Sequence, residues 1–179
     1  KLRALFDLQI IDSRIDEIKS LRGELPLEVE DLENEISGLN VKLDKVKTEI
    51  TEDEHQISDH NQTIETAKEL LKKYEEKLKN VRNNREYNAI VKEQEFQELE
   101  IQLADKKIKE FKARIELKQE AQSSVNERLE ERNAHLKAKK DELDAILKET
   151  HKEEGLLQTK SSEFEKQIEE KLITAYKRI

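Results

Sequence analysis

Arg82-Asn83-Asn84-Arg85-Glu86-Tyr87 interrupts a heptad repeat, and the fold follows from what lies on either side of it. Stepping alternately by four and three residues from Ala4 to Val81 visits 23 positions, of which 20 are apolar or Tyr. With 34% hydrophobic residues in the chain, chance would place roughly eight there. A sustained repeat of about 3.5 residues is the mark of a left-handed coiled coil. Two adjacent Asn residues suit a turn, because their short side chains bond nearby backbone and tolerate the left-handed region. Reflecting the seam about that turn reaches 23 further positions, from Tyr87 to Phe164, of which 14 are apolar or Tyr. The layers so formed include Leu78 with Ile90, Ile64 with Ala104, Leu43 with Val125 and Leu25 with Leu143. The sequence therefore predicts an all-α fold: a long antiparallel two-arm coiled-coil hairpin with its tip at residues 82–87.

Composition agrees. Charged residues make up 42% of the 179, aromatics 4%, and there are only 3 Gly and 1 Pro. So few turn formers require long elements, and a compact core needs more apolar residues than this chain has. The absence of Cys excludes a disulfide framework, a thiolate metal site and a cysteine nucleophile. No apolar run approaches the ~20 residues that span a bilayer, and no signal peptide opens the sequence. These features predict a cytoplasmic protein with no membrane partner. The first residue is Lys, which suggests a piece of a longer product.

Several predicted seam layers pair a polar residue with an apolar one: Asp53 with Ile115, His60 with Ile108, Lys118 with Ile50, and Arg132 with Ile36. Such layers weaken a coil but fix its register, and Lys or Arg stems can lie along the seam while the charge leaves it. In Gly23-Glu24-Leu25-Pro26, Gly23 suits a helix end and Pro26 the first turn of the next. The reading is an outgoing arm of 2–22 and 27–82, kinked near Pro26, a tip at 83–86, and a returning helix over 86–177. After Phe164 the apolar spacing changes to steps of four through Ile168, Leu172 and Tyr176, which calls for a different packing partner. Off-seam apolar residues, among them Phe6, Ile10, Leu70, Phe96, Leu99, Leu103 and Leu117, leave monomer and weak homodimer both open.

No catalytic constellation emerges, and the chain reads as a non-enzyme. Glu52 and His55 form half of a carboxylate di-iron motif with no second copy. His55 falls off the seam and His60 on it, so the first suits a solvated face and the second a polar layer. Charge is more informative. The chain is net −8, yet Lys68 to Lys92 carries eight basic and four acidic residues. A basic tip with Asn amides and Tyr87 suits an acidic protein surface or RNA, where Arg and Lys hold phosphates.

The hexapeptide Arg82–Tyr87, together with Gly23-Glu24-Leu25-Pro26 and the Leu-Glu helix after it, resembles the bacterial C4-type zinc-ribbon proteins with an N-terminal coiled-coil hairpin. The resemblance implies a ribbon with two Cys-x-x-Cys pairs and one structural zinc beyond residue 179. No metal ligand or cofactor site is assigned within this chain. It also implies an adaptor or chaperone role with partners in transcription or secretion machinery, RNA, or both. The implied partner-binding surface is Arg82, Asn83, Asn84, Arg85, Glu86 and Tyr87. The alternatives are a structural coiled-coil spacer and an RNA-binding hairpin arm.

Overall fold

The computed structural model describes residues 2–168 and 170–177, with side chains for all of these except 2, 167 and 170–172. Among them are three helices and no strand: α1 (Leu2–Asn80), α2 (Asn84–Gln167) and α3 (Glu170–Tyr176). Two units make up the fold, residues 39–128 and residues 1–38 with 129–179. In each, a stretch of α1 packs antiparallel on a stretch of α2.

In the 39–128 unit the buried residues of α1 are Leu39, Leu43, Ile50, Asp53, Ile64 and Ala67, all on the predicted seam. Ala104, Ile108 and Val125 answer them from α2. Ile64, Ala104 and Ile108 form the core cluster, with Ile57 and Ile101 packed against it. Small opposite large keeps the helices close without voids. His60 stacks on Phe111, ring centroids 5.9 Å apart. Asp53 does not simply meet Ile115. Its carboxylate accepts from Lys118 Nζ at 2.7 Å and lies 3.4 Å from Arg114 Nη2, the residues flanking that seam position.

In the other unit Leu8, Ile15, Ile18, Leu25, Val29 and Ile36 are buried, again all on the seam. The long seam cations send their charge to acids on α1: Arg132 to Glu35 at 3.0 Å and Lys139 to Glu28 at 3.1 Å. Arg22 Nε donates to Thr150 Oγ1 at 3.1 Å, and Arg22 also pairs with Glu154. Arg14 forks onto Glu153, which holds the Glu153 carboxyl below its ordinary range.

Three predicted boundaries differ from the structure. Of the kink or very short break expected at 23–26, the break is absent: α1 runs through Pro26, and no residue of the described chain has positive φ. An interior proline costs about 3 kcal/mol. Burying Leu25 and Val29, one on each side of Pro26, returns roughly 1.5–3 kcal/mol apiece, so the helix persists. The non-helical turn is 81–83, with α2 beginning at Asn84 rather than 86. The returning helix does not reach 177. It stops at Gln167, where Ile168 N–H bonds back to Glu165 O at 3.2 Å, and α3 follows.

That stop is where the heptad gives way to steps of four. Ile168 is buried. Asp12 then takes a bond from Ser161 Oγ at 3.3 Å and from Tyr176 Oη at 3.1 Å. One carboxylate joining residues on both sides of the break means the chain reverses and lays α3 on the first turns of α1. Lys177 Nζ closes the reversal on Glu165 at 2.8 Å. The side chain of Leu172, the remaining step of the predicted spacing, lies outside the described residues.

Candidate functional site: the basic turn

Asn83 makes the turn. Its Oδ1 accepts from Arg85 N–H at 2.9 Å, and its backbone carbonyl accepts from Tyr87 N–H at 3.0 Å. Both belong to an N-cap residue, whose side chain satisfies an orphan donor of the first helical turn. Glu86 sits three residues on, where its charge favours the positive end of α2. Lys77 and Lys79 complement the negative end of α1 on the other side. Local chemistry thus closes the turn in three residues, and Asn84, Arg85, Glu86 and Tyr87 are helical.

All six predicted site residues, Arg82, Asn83, Asn84, Arg85, Glu86 and Tyr87, are exposed, and the turn brings them together at one end of the 39–128 unit. They differ in what they have to offer. The Asn83 amide oxygen is committed to the cap. Arg82 and Arg85 have no ion-pair partner among the described residues, whereas Lys118, Arg132, Lys139 and Lys140 all do. Tyr87 would fill the last seam layer opposite Val81, but the residue is 49% exposed. Seam packing has ended there, and the residue is exposed to solvent. Nearby, Lys77 lies 5.9 Å from the Tyr74 ring centroid, which engages it without neutralising it.

The chain has no Cys, and no group of three or more His, Asp or Glu among the described residues is placed to hold an ion. His55 is exposed and pairs with Asp59 at 3.2 Å. No described helix is long and apolar enough to cross a membrane.

The arrangement defines an all-helical protein of long paired helices with a polar, basic turn. Among solved structures, the HP0958 protein from Helicobacter pylori is similar. The match has a TM-score of 0.65 at 18% identity and covers 99% of this chain and 75% of that one. At that identity the likeness is one of fold. No family model matches the chain, and no curated protein sequence matches it.

Proposed function

We propose that this chain is a non-catalytic, adaptor- or chaperone-like binding protein of the cytoplasm, and that its basic turn docks on an acidic surface of a protein partner. The observation that carries the reading is the pair of exposed guanidinium groups, Arg82 and Arg85, unneutralised in a chain whose cross-helix cations are matched with acids. Arg and Tyr exposed within one short segment are residue types enriched in interaction hot spots. The resemblance of Arg82–Tyr87 to the zinc-ribbon hairpin proteins belongs to the same proposal and supplies its partner class, transcription or secretion machinery.

The test is capture of interacting proteins by the intact chain and by Arg82→Glu/Arg85→Glu. The double reversal removes the net positive charge of Lys68–Lys92 and leaves the Asn83 cap in place. Helicity should be unchanged while binding falls at least about tenfold, roughly 1.4 kcal/mol. Equal capture by both chains would sink the reading and favour a spacer whose function depends on arm length. An RNA shift that weakens steeply with salt would instead favour an RNA arm.

A further inference from the structure

The face of α2 turned away from α1 carries a second apolar stripe. Phe96, Leu99, Leu103 and Leu117 are 54–67% exposed, at three- and four-residue spacings or whole heptads apart. They sit about half a helical turn from the seam residues Gln97, Ile101, Ala104 and Ile108, so α1 does not cover them. Solvated faces rarely repeat large apolar side chains in register.

The charges beside this stripe are segregated. From Glu93 to Glu100 there are four acids and no base, and from Lys106 to Lys112 four lysines and one acid. A parallel copy would set acids against acids. An antiparallel copy of the same helix sets the acidic block against the basic one, twice, about a two-fold axis. That is the self-complementarity a symmetric dimer requires. Centred on Ile101, the layers are Leu99 against Leu103 of the second copy, Phe96 under the stem of Lys106, Lys92 against Glu110, and Ala89 against Ala113. These alternate a and d positions as an antiparallel seam must, over roughly 36 Å of helix.

We propose that this outer face of α2 is the contact surface for a second copy of the chain, docked antiparallel through residues 89–113. It is separate from the basic turn and independent of the partner proposed for it.

Sedimentation equilibrium of the intact chain over a range of concentrations tests it. A reversible dimer is expected, weakened at least about tenfold by Leu99→Glu/Leu103→Glu with helicity preserved, since both side chains are exposed. Charge reversal tests the pairing. Glu93→Lys/Glu95→Lys/Glu98→Lys and Lys106→Glu/Lys109→Glu/Lys112→Glu should each be monomeric alone and should dimerise when mixed. Orientation is read by single cysteines, which are unique in a chain that has none. Leu103→Cys should crosslink to itself through a short reagent, whereas Leu117→Cys should not, its copies being on the order of 48 Å apart. A chain monomeric at every concentration, a dimer indifferent to Leu99→Glu/Leu103→Glu, or crosslinking at Leu117→Cys would each overturn the proposal.

Discussion

Each unit's seam carries a charged layer, and the two charges are opposite. In the 39–128 unit the buried group is a carboxylate, Asp53, 4% exposed and held by Lys118 and Arg114. In the other the charged group is a half-buried guanidinium, Arg22, its side chain 24% exposed and held by Thr150 and Glu154. The first layer is matched in full, and Lys118 is shared with Glu49 at 3.7 Å. The second is not: Arg22 Nη2 is buried with no acceptor. Pro26 lies four residues beyond Arg22 and has no N–H, so the Arg22 carbonyl also lacks its helical partner. A polar layer in a coiled coil is cheap when every atom of it is paired and expensive when one is not. The difference predicts that the 39–128 unit is the more firmly held.

The strongest way to break that contrast is Lys118→Ala. It leaves a nearly fully buried Asp53 with the exposed Arg114 alone at 3.4 Å. Stability should fall by about 3 kcal/mol, read in chemical denaturation, and amide exchange around residues 50–57 should accelerate first. A loss under about 1 kcal/mol would mean that Asp53 is solvated and that the layer does not fix register.

Pro26→Ala works from the other side. It restores the missing donor to the Arg22 carbonyl in a helix that already continues on both sides of this position. The gain should be about 2 kcal/mol, somewhat less than the full interior-proline penalty because Pro26 is exposed to water. Amide exchange should slow near residues 22–30 and stay unchanged near Asp53. A destabilised variant would show instead that the proline fits a local bend the packing needs.

Much of this was legible in the sequence. The seam from Ala4 to Val81 is a period, and period alone decides which residues are buried when only two helices share a core. What failed did so for local reasons. Gly23 and Pro26 carry the signals of a helix end, but Leu25 and Val29 hold the seam across them. Asn83 and Asn84 read as a pair in a loop, yet only Asn83 is non-helical, because its side chain caps the helix that Asn84 begins. The change of spacing after Phe164 showed that the partner changes, but not where the chain goes. That depended on a single distant carboxylate, Asp12, which has no periodic signature. At the turn, charge and residue type marked Arg82 to Tyr87. Which of them are free to bind a partner follows only from which are already hydrogen-bonded or paired.

The smallest expected effect concerns that Asp12 contact and sharpens the contrast by pH. Burial, then the hydrogen bond to Asp12 and the nearby charges of Asp12 and Asp16, push the Tyr176 phenol above its ordinary 10. The folded state thus holds the phenolic proton more tightly than the unfolded chain does. The stabilisation from this contact is complete below about pH 10 and is lost as pH rises through the raised folded value. Tyr176→Phe should cost about 1 kcal/mol at neutral pH and should lose this alkaline component. In an ultraviolet titration the late-appearing phenolate of the intact chain should vanish in Tyr176→Phe while the remaining tyrosine signal is unchanged. If the late component persists in the variant, Tyr176 is not the group held by Asp12, and the segment after α2 is held through the Lys177–Glu165 pair to α2 instead.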